Sequence, residues 1–351
     1  MKLSRPAPLD YLLVFVPAAI GVHFLAPERA TPAFVLSCLA VIPLAGLMGR
    51  ATEALAARVG AGLGGFLSAA LGNTAELVLG LAALRAGELA VVKASITGSI
   101  IGNLLLVFGA ALVAGGARRE KQTFNVTAAG AGNATLYLAA VALLVPALLH
   151  HGVDLHPETK VPTSVAISVI LLALYLLSLL FSLRTHAHLF AGEAEAHEPR
   201  WSMRRSIGVL LGATALVAVI SEILVASLEG AAHTFGLSRV FVGVIVVAVV
   251  GNAAEHSTAV MMALKNKMDL ALQIAVESSK QVALFVAPVL VFAGLALGQK
   301  MDLVFSEIEV VAVGVSTGAI TLVALDGESN WLEGAMLLAV YAVLGVAFFF
   351  V

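Results

Sequence analysis

The chain has 351 residues, of which 60% are hydrophobic and 12% are charged, and its formal net charge is −2. A globular domain of this length could not bury so much apolar surface, so the composition favours a polytopic membrane protein. The net charge by itself says nothing about a nucleic-acid partner, but the sequence has no basic run with interleaved aromatic residues, so we predict none. The single cysteine, Cys38, excludes a disulfide within the chain.

Apolar segments of about 20 residues, the length that crosses a hydrocarbon core about 30 Å thick, divide the chain into eleven predicted spans. In chain order they are 11–24, 34–58, 62–85, 89–114, 124–149, 161–183, 206–231, 240–264, 268–297, 303–325 and 332–351. The first segment lacks a small-residue cleavage site, so we expect a span rather than a signal peptide. The predicted fold class is an all-α membrane protein with eleven transmembrane helices.

Most positive loop residues fall on one side of the predicted membrane. That side carries Lys2, Arg5, Arg58, Arg118, Arg119, Lys121, Arg184, Arg200, Arg204, Arg205, Lys265 and Lys267, and the other carries Arg29, Arg85, Lys160, Arg239 and Lys300. The bias predicts a cytoplasmic N-terminus and, with eleven spans, an external C-terminus. Four parts follow: the N-terminus with the first helix (1–32), a five-helix unit (33–185), a cytoplasmic linker containing GEAEAHE (186–203) and a second five-helix unit (204–351).

A polar motif occurs twice in this apolar sequence. LGNTAELVLGLAAL begins at Leu71, and GNAAEHSTAVMMALKNK begins at Gly251. The offset, 255 − 76 = 179, also pairs Ser99 with Ser278. Five spans per copy would invert the second copy relative to the first, which is the architecture of many secondary transporters, with the substrate site where the repeats meet.

The repeated motif places Glu76 and Glu255 in the middle of the membrane, where an ionisable residue costs roughly 2.5 to 3.5 kcal/mol and is by default a functional candidate. Asn73 and Asn252 precede them by three residues and share their helix faces. Further oxygen ligands could come from Ser99, Ser278, Asn103, Gln281 and backbone carbonyls. Oxygen-only sites suit hard cations, and six to eight ligands suit Ca²⁺ better than Mg²⁺.

A carboxylate in a low-dielectric site binds its proton more tightly, whereas a neighbouring divalent cation favours the ionised form. Glu76 and Glu255 would therefore hold either protons or the metal, which is the simplest basis for cation/proton antiport. A lone Asn or Glu can instead join two membrane helices, but duplication of the whole cluster favours an ion site. His256 is not expected to bind the ion directly, because Ca²⁺ disfavours nitrogen ligands. It could instead contact the ligand residues, relay protons or simply contribute to packing.

Two other classes fit the sequence less well. An intramembrane metal hydrolase would need a motif such as His-Glu-x-x-His, which does not occur, so we predict no enzyme and no catalytic residues. A channel would not need protonatable carboxylates in opposed repeats.

The segments GNTAELVLGLAAL, GNAAEHSTAVMMALKNKMDLAL and SSKQVALFVAP resemble the two α-repeats of the Ca²⁺/H⁺ exchangers, the CAX branch of the Ca²⁺/cation antiporter superfamily. The resemblance covers nearly the whole chain, including ATEALA and SEILVASLEG. It implies one leading helix plus two inverted five-helix repeats, and exchange of cytosolic Ca²⁺ for external H⁺ by alternating access. It implies no resident cofactor and a lipid bilayer as surroundings. The short loops and the Ala/Gly/Val-rich spans favour a prokaryotic plasma membrane over a vacuole, and whether the chain forms a homo-oligomer stays open.

Carried over residue by residue, the resemblance makes Glu76 and Glu255 the carboxylates for metal and proton. Asn73, Asn252, Ser99, Ser278 and Gln281 would surround them, and Glu53 would line the cytosolic approach. The linker resembles the acidic segment between the family's halves. A Na⁺/Ca²⁺ exchanger, or another cation exchanger of the superfamily, is the alternative.

The sequence departs from the family pattern just before Gln281, where the family has Gly-Ser-Ser. Glu277 stands at the glycine position, which Gly98 occupies in the first repeat, and Lys280 follows three residues later. The two charges could neutralise each other on the helix. Alternatively, Glu277 adds a third carboxylate and Lys280 an internal cation, which would change selectivity or stoichiometry.

Overall fold

The structure is a computed structural model and describes residues 8–59, 61–152, 157–186 and 201–351. In the first half the helices are α1 (Phe15–Leu25), α2 (Ala30–Val59), α3 (Ala61–Leu71), α4 (Thr74–Arg85), α5 (Leu89–Ile101), α6 (Phe108–Gly116), α7 (Val126–Gly152) and α8 (Lys160–Leu180). In the second half they are α9 (Met203–Phe235), α10 (Arg239–Gly251), α11 (Ala253–Leu264), α12 (Met268–Gln281), α13 (Ala287–Leu297), α14 (Glu307–Val323) and α15 (Trp331–Phe349). Short 3-10 turns, Pro8–Val14 and Pro157–Thr159, precede α1 and α8.

Eight of the helical stretches in the described residues are long and apolar enough to cross a membrane, and a ninth is counted if α10 and α11 form one bent span. Two further predicted spans correspond to helices that are shorter than 18 residues. They are the apolar helix Leu9–Leu25 and α14, and each has 17 residues. Exposed leucines and valines on α8 and α15 suit contact with lipid rather than water. The protein is therefore a mostly helical, multi-pass membrane protein.

Two apolar cores hold the helices together. One joins α1, α2 and α9, where Leu44 and Val217 are fully buried. The other surrounds α5, α6, α12 and α13, where Ile101, Phe108 and Leu284 are fully buried. The helices that carry the repeated motif, α4 and α11, lie against both cores.

Local sequence signals fix several helix ends. The hydroxyl of Ser202 accepts a hydrogen bond from the Arg205 amide at the start of α9, and Gly236, with φ of 65°, ends that helix in the left-handed region that glycine adopts without strain. Ser306 and Glu309 form a capping box at the start of α14.

The loops that follow α6 and α14 are joined by a short antiparallel pair of strands, β1 (Gln122–Thr123) and β2 (Glu328–Ser329). The all-α prediction omits this pair, and two residues per strand carry no sequence signal. Beside it, Lys121 donates a 2.6 Å hydrogen bond to Glu328. That bond and the attraction of the carboxylate raise the pKa of the Lys121 ammonium group. Most of the predicted linker, 186–203, lies outside the described residues.

The repeat seen in the sequence recurs in the helix bounds. α4 and α11 begin at Thr74 and Ala253, α5 and α12 at Leu89 and Met268, and both pairs differ by 179. Each of α5 and α12 continues into a π-helical segment, Gly102–Val107 and Val282–Val286. Mid-helix π segments of this kind occur often at functional sites.

The two copies nevertheless differ in shape. In the first copy, residues Gly64–Arg85 count as one span, whereas in the second α10 and α11 meet at an angle of 60°. The helix before the break is regular in α3 but π-helical over Val242–Val247 in α10. The two copies thus differ in conformation around the shared motif.

Candidate functional site

Breaks between helices hold the two equally spaced pairs of polar residues at the centre of the fold. Asn73 lies between α3 and α4, and Asn252 lies between α10 and α11; both are fully buried. Glu76 and Glu255 follow in the first turns of α4 and α11. The positive ends of those two helices favour negative charge at these positions.

Each buried amide donates its protons away from the carboxylates. Asn252 Nδ2 donates to Ser99 Oγ at 2.9 Å and to the Ala248 carbonyl at 2.9 Å, and Asn73 Nδ2 donates to Gln281 Oε1. With its nitrogen engaged in this way, each amide is left with its oxygen as a free ligand atom.

Four of the eleven buried side-chain oxygens that lack a hydrogen-bond partner among the described residues belong to this centre: Asn73 Oδ1, Asn252 Oδ1, Glu76 Oε2 and Glu255 Oε2. They come from the same two positions of each copy. An unsatisfied buried acceptor costs about 1–3 kcal/mol, and more when charged. A set of acceptors with no donors suits a cation or protons as the missing partner.

A serine accompanies each carboxylate. Ser278 Oγ accepts from Asn103 Nδ2 at 2.8 Å and lies beside the Glu255 carboxyl group. Ser99 Oγ, which accepts from Asn252, lines a cavity together with Glu76. Because each serine already accepts an amide proton, its second lone pair and its own hydroxyl proton remain available to an ion or a carboxylate.

The cavity is small and lies where α4, α5, α10 and the π segment after α12 meet. Glu76, Ser95, Ser99, Gly251 and Asn252 supply its polar and backbone groups. A Cβ atom built on Gly251 would lie 3.8 Å from Glu76 Oε1, so this carboxylate lies beside the backbone of residue 251. The Glu76 and Glu255 carboxyl groups are close enough for their charges to repel.

Other predicted residues lie around this centre. Gln281 joins it through Asn73, and Asn103 joins it through Ser278. His256 is half-buried beside Glu255 and does not line the cavity, and Glu53 is exposed on α2. No group of three or more His, Cys, Asp or Glu side chains suited to a metal occurs among the described residues, so an ion bound here would depend on amide and hydroxyl oxygens as well.

Ser95 lines the cavity although sequence reasoning did not select it. Its hydroxyl donates to the Val92 carbonyl at 2.9 Å. The offset of 179 pairs Ser95 with Ile274, so the repeat gave no signal for it. Its spacing of four residues from Ser99, which puts both on one helix face, could have indicated it.

The profile of the family described as "Sodium/calcium exchanger protein" matches residues 30–184 and 205–350. The chain belongs to this family. Among the relatives of this exchanger-family chain, the "Ca(2+)/H(+) antiporter" of Aphanothece halophytica is 46% identical over 97% of the chain and 95% of the relative. That of Synechocystis sp. is 46% identical over 97% of the chain and 96% of the relative. The structure of native YfkE superposes with a TM-score of 0.85 and 39% identity, covering 98% of this chain and all of that one. The predicted resemblance to the Ca²⁺/H⁺ exchanger branch is confirmed.

In this member of the sodium/calcium exchanger family, the two unusual charges near Gln281 form an ion pair. Lys280 Nζ lies 2.6 Å from Glu277 Oε1. The Lys280 side chain is 6% exposed and that of Glu277 is 31% exposed. The geometry favours the first of the two interpretations, in which the charges neutralise each other.

Proposed function

We propose that the chain is a proton-coupled Ca²⁺ antiporter that exchanges cytosolic Ca²⁺ for external H⁺. The observation that carries the proposal is the set of four buried oxygens without donors, two of them on carboxylates, contributed in matched pairs by the two copies of the motif. The names of the relatives, which are Ca²⁺/H⁺ antiporters, support the choice of ions. Ca²⁺ is the cargo here and not a resident cofactor.

In the proposed mechanism, Glu76 and Glu255 bind either Ca²⁺ or protons. Amide oxygens of Asn73 and Asn252 and hydroxyl oxygens of Ser99 and Ser278 complete the oxygen set for a hard cation. Protonation of the two carboxylates removes the charge that attracts the ion, and Ca²⁺ in turn disfavours protonation. Competition for one set of oxygens couples the two fluxes.

The proposed architecture has eleven spans: one leading helix and two five-helix repeats of opposite orientation. Matched helix bounds at an offset of 179 support the repeat, and the positive loop residues support a cytoplasmic N-terminus and an external C-terminus in a prokaryotic plasma membrane. In this orientation α3 and α12 lie in the cytosolic half, and α5 and α10 lie in the external half.

We further propose that this conformation opens to the cytosol. Gly72, at the end of α3, is exposed, whereas its counterpart Gly251 is buried. In the external half, a Cβ on Gly98 of α5 would lie 2.1 Å from the Val244 carbonyl oxygen of α10, so these helices are in direct backbone contact. Exchange of the two shapes between the copies would close one side and open the other.

The test is Ca²⁺ uptake into proteoliposomes with and without an imposed proton gradient, comparing the wild type with Glu255→Gln. Glu307→Gln, an exposed carboxylate at the start of α14, is the matched control. We expect gradient-driven uptake in the wild type and the control and none in Glu255→Gln. Wild-type uptake in Glu255→Gln would remove the site assignment. Uptake driven by a Na⁺ gradient and indifferent to protons would instead favour a Na⁺/Ca²⁺ exchanger.

A further inference from the structure

The contact that seals the external half depends on glycine. A Cβ on Gly98 would lie 2.1 Å from Val244 O and 2.6 Å from the Val244 carbonyl carbon, and a Cβ on Gly243 would lie 2.5 Å from the Ala94 Cβ. These atoms are mostly backbone, which cannot rotate away as a flexible side chain can. The close approach of α5 and α10 is therefore possible only because residues 98 and 243 lack side chains.

The same contact in the other half would pair position 277 with position 65, since 98 + 179 = 277 and 244 − 179 = 65. Position 277 is glutamate rather than glycine. In this structure α3 and α12 are apart there: the three atoms nearest a Cβ on Gly65 all belong to Leu183, and the Glu277 side chain is 31% exposed.

We propose that Glu277 is a positioning residue that prevents the cleft between α3 and α12 from closing as tightly as the external side does. The proposal rests on the proposed alternating access, in which closure of this cleft would repeat the Gly98–Val244 contact. The Cβ of Glu277 would then meet the backbone of α3 at about the 2.1 Å separation found for Gly98. In its closed state the cytosolic cleft would then be wider than the closed external cleft. The inward-closed and outward-closed states would therefore differ in structure although the two repeats are related.

Lys280 makes a charged residue tolerable at this position. Its counterpart in the first copy is Ile101, which is fully buried, and Lys280 is itself almost fully buried. The 2.6 Å pair with Glu277 compensates both charges within the membrane-spanning segment. Glu277 contributes both the carboxylate of the ion pair and the Cβ that would clash. The experiment must therefore separate the effect of the charge from the effect of the Cβ.

The test separates them with variants that differ by one methyl group. Glu277→Ala and Glu277→Gly, each combined with Lys280→Met, both lack the ion pair, and only the alanine variant keeps a Cβ. The reporter is Ser68→Cys in a Cys38→Ala background. Ser68 is exposed on α3, and its counterpart Val247 is 6% exposed, so closure of the cleft should bury position 68. The readout is the rate at which the thiol introduced at position 68 reacts with a water-soluble maleimide in Ca²⁺-free buffer.

We expect the glycine variant to react about threefold more slowly than the alanine variant, because the cleft is closed for a larger fraction of the time. The alanine variant should react as fast as the protein with Glu277 and Lys280 intact. Unfolding would speed the reaction, so slower labelling cannot come from instability. Equal or faster labelling of the glycine variant would overturn the proposal.

The same reporter protein with Glu277 and Lys280 intact is assayed for proton-driven Ca²⁺ uptake. Failure of that uptake would count against the proposed function, whereas equal labelling of the two variants with normal uptake in the intact reporter would count against Glu277 alone.

Discussion

The seal between α5 and α10 gives a prediction whose size follows from the coordinates. Gly98→Ala adds a Cβ at 2.1 Å from the Val244 carbonyl oxygen, whereas real Cβ contacts essentially never fall below 3.0 Å. The two helices must therefore separate by about 3.0 − 2.1 = 0.9 Å. The strained atom is backbone oxygen, so α10 must move as a body or bend further.

Overpacking of this kind costs about 1–3 kcal/mol. Alanine also stabilises a helix by about 1 kcal/mol relative to glycine, so the comparison needs a glycine in open space. Gly212 on α9 is exposed, and no atom lies within 4 Å of a Cβ built on it. Gly212→Ala therefore has the same gain in helix propensity as Gly98→Ala but introduces no clash. Gly98→Ala should then destabilise the proposed closed state of the external side by about 1–3 kcal/mol relative to Gly212→Ala, which is roughly 5- to 150-fold in the population of that state relative to open states.

The assay labels Val247→Cys, at a position that is 6% exposed in the present conformation, from the proposed external side in a Cys38→Ala background. Gly98→Ala should speed labelling and lower the apparent melting temperature relative to Gly212→Ala. If the two variants have the same labelling rate and the same melting temperature, the contact at Gly98 does not hold the proposed external side closed. The proposal for Glu277, which is based on that contact, would then lose its support.

Three further predictions concern the ion site. Glu76→Gln should abolish the rise in melting temperature that Ca²⁺ gives by binding the folded state; a full rise in the variant would exclude Glu76 as a ligand. Raising the pH on the binding side from about 6 to 8 should tighten Ca²⁺ binding, by up to about tenfold per unit for each proton released, because the ion needs the ionised carboxylates. Equilibrium binding that does not change with pH would count against competition. Asn103→Ala removes the 2.8 Å hydrogen bond to Ser278 Oγ; at about 1 kcal/mol for such a bond, KM for Ca²⁺ should rise about fivefold with little change in kcat, and an unchanged KM would show that Ser278 needs no such support.

Hydropathy predicted the coarse fold, a mostly helical multi-pass membrane protein. The span boundaries near Arg85, Leu89, Leu264 and Met268 agree closely with helix ends in the structure, because the polar turns there interrupt long apolar runs. The sequence could not predict the π segment within α10 or the 60° bend after it. The two copies share the motif itself, but the helices before it differ in sequence as well as in shape: α3 is rich in glycine and alanine, and α10 is rich in valine.

The grouping of the polar residues could be predicted to the extent that it is repeated, and their role as ion ligands stays a prediction. Asn73, Glu76 and their counterparts share a spacing and a depth, and the structure brings them to one place. Ser95 was missed because it has no counterpart, and the length of the Glu277–Lys280 contact could not be read from spacing alone. The functional consequence of Glu277 needed the partner helix, since only the Gly98 contact shows how little room that position has when closed.

The charge of the proposed site also accounts for why exchange would be coupled rather than leaky. With neither Ca²⁺ nor protons bound, Glu76 and Glu255 would carry two uncompensated negative charges in a site whose four free oxygens have no donors among the described residues. Sealing such a site on both sides, as any change of access requires, removes water as well, at several kcal/mol per unpaired ion. A site filled by Ca²⁺ or by two protons avoids that penalty. In the proposed mechanism the empty transporter would therefore change sides most slowly, and each outward Ca²⁺ would be followed by inward protons.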